Sequence, residues 1–278
     1  MKKLYQTIKK IKYNAFYNPT FMGLILNIFS PTYWMVYTSW NHLNIFKTLW
    51  VNFHYLPFKQ AKKLPIFIYG NCKFMRVSGS IVLDTDNIFK GMIKINKSAS
   101  AACNSGTPTE ILLTMGKIIF EGEAFISTGC RIIVNNGGKL TLGNLFKLNS
   151  QNTIGCFNNI MMKSNVVIGH QCQIFDTNFH HIIDLSTNRV MRSNGKISIG
   201  ENTWLGNRIT ILHGVSLAPY TIVSSNSLVT KSFSESYSII GGIPSKVLKV
   251  GMKRLFDKKL EAEIHPYFSQ SLNNFYQL

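Results

Sequence analysis

Two adjacent histidines, His180 and His181, lie in a polar stretch of the sequence between two apolar regions. A neutral imidazole has a pKa near physiological pH, so one ring nitrogen can accept a proton while the other is held. A single histidine is more often a solvated loop residue than a catalyst. The position of this pair in the fold therefore decides whether the chemistry is general-base catalysis.

An aliphatic residue returns at every sixth position over residues 199–229, and a small or β-branched residue follows it four places later. Helices repeat near 3.6 residues and strands at about 2, so neither gives this period. A six-residue period is typical of a parallel β-helix, in which each short strand contributes one inward aliphatic side chain before a corner. The first set is Ile199, Leu205, Ile211, Leu217, Val223 and Val229; the second is Thr203, Ile209, Val215, Thr221 and Ser227.

A weaker run with the same period extends the repeat toward the N-terminus. Its phase breaks at the segment FDTNFHHIIDLSTNRVMRSNGK, residues 175–196, which contains both histidines. An insertion in a solenoid forms a loop on one face, often the binding face. The sequence therefore predicts that His180 and His181 are carried on an extruded loop. The weaker run has breaks: Phe120, Ile126 and Ile132 come first, then Leu142, Leu148, Ile154 and Ile160, and after a two-residue slip Ile168 and Ile174.

Three regions follow from these patterns. Residues 1–78 are predicted to be a basic, aromatic-rich segment of helices and turns, and residues 79–243 the β-helix. Residues 244–278 are predicted to be helical, because Lys246 to Glu263 has the apolar spacing of a basic amphipathic helix.

The charge of the chain is strongly basic and unevenly distributed. It has 30 Lys and Arg against 12 Asp and Glu. From Met1 to Leu83 there are eleven basic residues and no acidic one. The positive electrostatic potential of such a segment favours anionic binding partners. No nucleic-acid module is recognisable, so nucleic acid is not expected, and peripheral contact with an anionic membrane is the better functional interpretation. A helical cap whose aromatic residues pack on the main domain is the alternative, and both stay open.

The sequence shows no clear targeting or membrane-spanning segment. The apolar run from Phe21 to Phe29 is too short to span a bilayer and lacks a cleavage site after it. We therefore expect a cytoplasmic protein, peripheral on the cytoplasmic membrane face if the basic segment binds lipid.

The cysteines form an odd set without a C-x-x-C pair. This pattern predicts reduced thiols that serve as small apolar residues, and it argues against a disulfide framework or a zinc site. The five are Cys72, Cys103, Cys130, Cys156 and Cys172.

The region from about Asn149 to Lys249 resembles the hexapeptide-repeat acetyltransferases of the galactoside, maltose and polysaccharide O-acetyltransferase kind. The resemblance is carried by IGENTWLGNRITILHGVSLA (residues 199–218), VTK (229–231) and GIPSKVLK (242–249). It implies an all-β fold, a left-handed parallel β-helix assembled as a homotrimer. It also implies acetyl-CoA as co-substrate, bound between neighbouring β-helices, and transfer to a sugar hydroxyl of a glycan without a metal ion.

The same resemblance implies which histidine is the base. In the family, the catalytic histidine of the extruded loop stands 24 residues before a tryptophan of the β-helix, and His180 and Trp204 have this spacing. His180 would accept the proton of the acceptor hydroxyl, and Trp204 would form an apolar wall near the thioester. His181 is the alternative base if the register of the loop differs.

Three further residues are candidates for the acceptor side of the site. The resemblance places Asn149 where the acceptor sugar would be contacted, although corner asparagines are also common for turn geometry alone. Asp176 or Asn178 would orient the imidazole of His180. A capped loop turn explains these two residues equally well.

The resemblance also implies a row of acetyl-CoA contacts, with two lysines meeting the phosphates as point charges. The chain departs from the family pattern where Ser224-Ser225-Asn226-Ser227 replaces a glycine-rich stretch, which would narrow the groove. The candidate cofactor residues are Asn207, Ser225, Thr230, Lys231, Lys246 and Lys249.

Three other functions share the repeat. An N-acetyltransferase acting on an amino-sugar nucleotide is one alternative, but residues 1–80 lack the glycine-rich strand-turn-helix fingerprint of its better-known forms. A β-helix carbonic anhydrase would need three histidines converging on zinc, and no such pattern is present. A non-enzymatic scaffold would keep the repeat but has no need for His180, Trp204 and the GIPSKVLK motif together.

Overall fold

A computed structural model describes residues 42–98, 107–270 and 276 of the chain. Cys103 and the predicted features of residues 1–41, including the apolar run Phe21 to Phe29 and the aromatic residues before position 42, lie outside the described residues.

Within the described residues, successive strands are shared out among three parallel sheets, so that each turn of the chain adds one strand to each sheet. The nine-stranded sheet contains β1 (Ile66–Ile68), β4 (Ile93–Ile95), β7 (Ala124–Ile126), β10 (Phe146–Leu148), β13 (Val167–Ile168), β18 (Trp204–Leu205), β21 (Ile222–Val223), β23 (Ser238–Gly242) and the antiparallel β24 (Ser245–Val250). The seven-stranded sheet contains β2 (Lys73–Val77), β5 (Glu110–Leu113), β8 (Arg131–Val134), β11 (Thr153–Cys156), β14 (Gln173–Phe175), β19 (Thr210–Ile211) and β22 (Leu228–Val229). The six-stranded sheet contains β3 (Ser80–Leu83), β6 (Lys117–Phe120), β9 (Lys139–Leu142), β12 (Asn159–Met162), β17 (Ile197–Ile199) and β20 (Ser216–Leu217).

The sixfold aliphatic positions form the core of the coil. In the nine-stranded sheet Leu205 pairs with Ile168 on one side and with Val223 on the other, and all three side chains are buried. Burial of one such side chain stabilises the fold by about 1.5–3 kcal/mol. Each coil covers the apolar face of the next, which makes the stack stable as a unit. The predicted left-handed parallel β-helix is confirmed.

The corner between the nine-stranded and seven-stranded sheets, which we call the first corner, repeats one backbone conformation. Gln151, Gln171, Arg208 and Asn226 occupy equivalent places in successive coils with φ of 64°, 61°, 56° and 58°. This is the left-handed region, where the chain can turn sharply. The first three side chains form a ladder, because Gln171 Nε2 donates to Gln151 Oε1 (3.0 Å) and Arg208 Nε donates to Gln171 Oε1 (3.1 Å).

The N-terminal end of the coil is capped by helices α1 (Ile45–Tyr55) and α2 (Phe58–Ala61). The strands β1 and β2 come before the boundary that the sequence predicted at residue 79. These first strands pair in parallel with β4 and β5, but the loops around them do not keep the six-residue spacing. For this reason the periodicity does not reveal them.

The helix predicted over Lys246 to Glu263 is wrong in its first part. Ser245–Val250 forms strand β24, which pairs antiparallel with β23, and helix α3 spans Lys258–Gln270. The chain reverses at Gly242, whose φ of 101° is one that L side chains rarely adopt. This reversal places Val247 and Val250 along the free edge of β23, and the edge pairing outweighs a helical pattern of apolar residues.

The described cysteines are free thiols, in agreement with the prediction. Cys72, Cys130, Cys156 and Cys172 are all buried. In the described part of the chain, no helix combines the length and apolar character needed to cross a bilayer.

Candidate active site

The segment that interrupts the repeat is a hairpin raised from the corner between the seven-stranded and six-stranded sheets, which we call the loop corner. Its strands β15 (Ile182–Asp184) and β16 (Arg189–Met191) pair antiparallel. Its base is closed by a bridge between Thr177 and Asn194 and by the Asn178 N–H, which donates to Ser193 O (2.9 Å). The hairpin therefore leaves the coil as an ordered arm.

Asp176 anchors the base of this hairpin. Its side chain is fully buried, and its two carboxylate oxygens accept hydrogen bonds from the N–H groups of Phe157 and Asn158, each at 2.8 Å. Both partners belong to the turn of the previous coil at the same corner. A buried carboxylate needs such charge-assisted bonds to compensate its lost hydration. The geometry therefore makes Asp176 an anchor of this turn, and a role of Asp176 in orienting the imidazole stays a prediction.

Three phenylalanines support the first turn of the hairpin. The Phe179 ring lies 4.9 Å from that of Phe157 and 5.8 Å from that of Phe175, edge-on to both. Phe175 packs over Gly155, where an added Cβ would lie only 2.3 Å from the ring. Phe179 has a φ of 64°, a strained value for a bulky residue. The aromatic contacts hold this backbone in place immediately before His180.

His180 and His181 are both exposed on the hairpin. The backbone N–H of His180 donates to Asn178 Oδ1 at 3.3 Å, so the Asn178 side chain shapes the local turn. The sequence prediction placed both histidines on an extruded loop, and the structure has them there. An imidazole in this position can reach a group outside its own coil.

Trp204 lies on the outer face of the nine-stranded sheet, between Val167 and Ile222 in the neighbouring coils. It is 37 % exposed. Arg254 folds back from the segment after β24 and lies over the indole, with Cζ 5.0 Å from the ring centroid and 4.9 Å from that of Phe256. Burial lowers the pKa of this guanidinium, and Glu261 acts in the opposite direction.

Arg254 was not among the residues that the sequence singled out. It lies fifty positions beyond Trp204 and outside the repeat. The contact is made only because β24 reverses the chain, so no local signal identifies it.

The first corner brings several candidate residues into one row. Asn149 lies there two coils before Asn207, and Ser225 lies one coil after Asn207. Asn207 Oδ1 accepts from the His170 N–H (2.9 Å), and the Asn207 N–H donates to Ser225 Oγ (3.0 Å). The Asn149 carbonyl accepts from Asn152 Nδ2 at 2.7 Å. The polar groups of this row therefore also hold the corner together.

His170 belongs to the same row. Its Nδ1 is buried and has no hydrogen-bond partner among the described residues, and the pKa of His170 is lowered by burial and by the nearby Lys147. His170 is thus favoured in its neutral form.

Ser224, Ser225 and Ser227 replace glycine-rich positions of the resembled family, and they have structural roles at the first corner between β21 and β22. Ser227 Oγ donates to Ser224 O (2.6 Å) and accepts from the Gly242 N–H (3.2 Å). Together with Ser225, they tie the corner to its neighbours. The hydroxyl of Ser227 therefore holds the corner to Gly242, at the point where the chain leaves the coil.

The remaining candidate residues lie at the C-terminal end of the coil. Thr230 and Lys231 follow β22 and are exposed, with Lys231 Nζ 5.8 Å from the Phe233 ring centroid. Lys246 and Lys249 are exposed on β24, where they pair with Gly241 and Ile239. Both lysines belong to the same sheet as Trp204, so their charges are available to an anion on that face.

The structure thus separates the candidate residues into two groups. His180, Asp176 and Asn178 belong to the loop corner, where Thr230 and Lys231 also lie at the C-terminal end of the coil. Trp204, Lys246 and Lys249 lie on the nine-stranded sheet, and Asn149, Asn207 and Ser225 line the first corner. These are different sides of the three-sided coil. Among residues 42–98, 107–270 and 276, no three His, Cys, Asp or Glu side chains are grouped so that they could hold a metal ion.

Comparison with known sequences yields acetyltransferases. The protein named "Putative lipopolysaccharide biosynthesis O-acetyl transferase WbbJ" of Escherichia coli K12 is 25 % identical over 190 residues, 65 % of this chain and 90 % of that protein. A "Probable acetyltransferase" of Mycobacterium tuberculosis is 25 % identical over 167 residues, 58 % of this chain and 51 % of its own length. The chain thus spans about half of this second relative. No protein-family model matches the chain.

Among solved structures, a match is found to the polySia specific acetyltransferase NeuO. It has a TM-score of 0.46 and 16 % identity, over 73 % of this chain and 99 % of that one.

The coil and the sequence relatives together define the class of protein: the chain is an acyltransferase. It resembles the hexapeptide-repeat acetyltransferases of the sugar and polysaccharide O-acetyltransferase type, as the sequence motifs predicted.

Proposed function

We propose that the chain transfers an acetyl group from acetyl-CoA to a hydroxyl of a sugar, in a surface polysaccharide or its precursor. The observation that carries this proposal is the ordered hairpin, which lifts His180 out of an otherwise regular coil at the loop corner. The name of the Escherichia coli relative, an O-acetyl transferase of lipopolysaccharide biosynthesis, supports the class of acceptor. We place the reaction in the cytoplasm.

A second copy of the chain is needed to complete such a site. In one chain, His180 and Trp204 lie on different sides of the coil. We infer a homotrimer in which the hairpin of one copy reaches the Trp204 face of the next. Cyclic symmetry then gives three equivalent grooves, each with a histidine from one copy and a coil face from the other.

The chemistry in this groove is a direct transfer. The imidazole of His180 accepts the proton of the acceptor hydroxyl as its oxygen attacks the thioester carbonyl. The new C–O bond forms, the C–S bond breaks, and the imidazolium returns the proton to the CoA sulfur. Proton transfer of this kind contributes about 10²–10⁴-fold to the rate, and positioning of both substrates contributes much of the rest. The step requires no metal ion.

Acetyl-CoA fits the exposed edge of the nine-stranded sheet. Lys246 and Lys249 would meet its phosphates as exposed point charges, while Thr230 and Lys231 lie at the same end of the coil. Gly206 lets the next coil pack closely at the first corner, because an added Cβ would lie 2.8 Å from Ser225 Oγ. Backbone and small polar groups there would follow the pantetheine arm.

Asn149 is the candidate contact for the acceptor. It lies at the first corner two coils before Asn207, so a sugar bound there would lie about 10 Å from Asn207 along the coil, two strand spacings. The acceptor and donor would thus occupy different levels of one groove. An amino group on a nucleotide sugar could use the same base, so N-acetyl transfer is the alternative that the acceptor panel must test.

The test is release of CoA thiol from acetyl-CoA against a panel of glycans, nucleotide sugars and amino-sugar nucleotides. We expect turnover with a hydroxyl acceptor and a loss of about 10²–10⁴-fold in His180→Ala. His181→Ala is the matched control, because the two side chains are adjacent and both exposed. Full turnover by His180→Ala, or turnover with amine acceptors alone, would contradict the proposal.

A further inference from the structure

Helix α1 turns an apolar face outward. Val51 and Asn52 on one side are fully buried against the coil. Phe46, Leu49 and Phe53, at helical spacing on the other side, are 86, 41 and 48 % exposed. An amphipathic helix on a globular protein normally buries its apolar stripe. Here the large aromatic side chains face away from the core.

The same helix has a structural reason to keep this orientation. Asn52 Nδ2 donates to Ile66 O (2.7 Å) and Asn52 Oδ1 accepts from the Ile66 N–H (3.1 Å). Thr48 Oγ1 accepts from the Ile68 N–H at 3.0 Å. These bonds satisfy the free edge of β1, the first strand of the nine-stranded sheet. Rotation of α1 would leave these buried groups unpaired, so the outward face is fixed.

The apolar face continues onto α2 and is flanked by basic side chains. Phe58 is 72 % exposed, and its ring centroid lies 6.2 Å from that of Phe53. Lys59, Lys62 and Lys63 follow it and are exposed. Residues 42–83 contain six Lys and Arg and no acidic residue. Exposed aromatic side chains beside lysines are typical of helices that lie in the interface of an anionic bilayer.

We propose that this cap docks the protein on an anionic lipid bilayer, with the aromatic side chains in the interfacial region and the lysines against the lipid phosphates. The charge favours a membrane over a second copy, because two such faces would bring like charges together. Residues 1–41 add five lysines and no acidic residue, so their charge also repels a second copy and favours an anionic surface. The proposal does not depend on the acyl-transfer reaction. The docking face consists of Phe46, Leu49, Trp50, Phe53, Phe58, Lys59, Lys62 and Lys63.

Flotation of the full-length chain with large unilamellar vesicles tests this. We expect it to float with an equal mixture of phosphatidylcholine and phosphatidylglycerol, and much less with phosphatidylcholine alone. Phe46→Gln/Phe58→Gln should lower the partition coefficient by roughly tenfold or more. Removal of one lysine, as in Lys62→Gln, should lower it about fivefold. The control is Met115→Gln, which removes a comparably exposed apolar side chain (67 %) from the coil and should float like the parent.

Three outcomes would overturn the proposal. The first is a full chain that does not float with the anionic vesicles. The second is a folded Phe46→Gln/Phe58→Gln variant that floats like the parent, which would assign the contact to another part of the chain. The third is a change in molar mass of that variant by light scattering, which would assign the face to a protein interface. Circular dichroism verifies folding. The Phe46→Gln/Phe58→Gln variant should release thiol with a water-soluble acceptor at the rate of the parent. This assay therefore distinguishes a failure of the proposed reaction from a failure of membrane docking.

Discussion

The guanidinium of Arg254 covers the indole of Trp204, with Cζ 5.0 Å from the ring centroid. This contact joins the segment after β24 to the face of the coil that carries the candidate site. It places a cation beside the surface where an acyl-CoA would lie in the proposed complex. Arg254 is therefore a structural neighbour of the site and a candidate for positioning Trp204.

The first prediction concerns this pair. Arg254→Ala and Trp204→Leu, alone and combined, should reveal a coupling free energy of about 0.5–2 kcal/mol in a double-mutant cycle of chemical denaturation. Arg254→Lys should keep only part of it, because an ammonium cannot stack as a planar guanidinium does. If Arg254 positions Trp204, Arg254→Ala should also raise KM for acetyl-CoA, and Arg254→Lys should have a KM between those of the parent and Arg254→Ala. Additive stabilities would show that the two side chains are not coupled.

Asp176 is expected to hold the hairpin to the coil. Asp176→Ala removes the acceptor of two buried backbone N–H groups, so the free energy of unfolding should fall by about 3 kcal/mol. Proteolytic cleavage within residues 175–196 should become faster, since the base of the hairpin loosens. Asp184→Ala is the control, because Asp184 accepts only within its own exposed turn and should change cleavage little. Equal cleavage of the two variants would show that Asp176 is not the anchor.

Gly155 should be intolerant of a side chain. A Cβ there would lie 2.3 Å from the Phe175 ring, so Gly155→Ala must displace the aromatic support of Phe179 and His180. We expect a loss of about 1–3 kcal/mol in stability and a lower kcat. Gly155→Ala/Phe175→Leu should recover part of both, because the smaller side chain relieves the overlap. Gly137→Ala is the comparison variant. Gly137 has a φ of 78° and nothing lies within 4 Å of an added Cβ, so the loss of stability in this variant measures backbone strain without a clash.

The buried thiols should be unreactive in the folded protein. Burial raises the pKa of Cys72, Cys130 and Cys156 to about 12, with Asp176 adding to the effect at Cys156. An unfolded thiol has a pKa near 8.5. At pH 8 iodoacetamide should therefore label these residues only after unfolding. The measurement is mass spectrometry of a Cys103→Ser variant, and rapid labelling of the native protein would contradict the burial of the thiols.

The same shifts predict how stability depends on alkaline pH. Because the folded state raises the thiol pKa, the unfolded state loses protons first above about pH 8.5. The free energy of unfolding is therefore highest below this pH and falls toward pH 12, by up to about 1.4 kcal/mol per unit for each buried thiol. Cys130→Ala should flatten this fall in denaturation midpoints. An unchanged slope would assign the alkaline transition to other groups.

The coil itself could be predicted because its core is a local pattern. Each hexad places one aliphatic side chain inward, as Leu205 and Val223 show, and no distant residue is needed to recognise the period. The interrupting loop could also be predicted, since a break in a strict repeat marks an insertion, whereas its hairpin form comes from the structure. The split of the site between two sides of the coil could not be read from the sequence, because it depends on which corner carries the loop.

The sequence by itself determined the sixfold coil, the loop that carries His180, and the family motifs around Trp204, because each of these is encoded within a few neighbouring residues. Only the tertiary structure decided that Asp176 caps the turn at Phe157, that residues 245–250 pair as a strand, and that Arg254 lies on Trp204. These features join positions far apart in the chain. Their energies come from pairing and packing between coils, which local propensity does not contain.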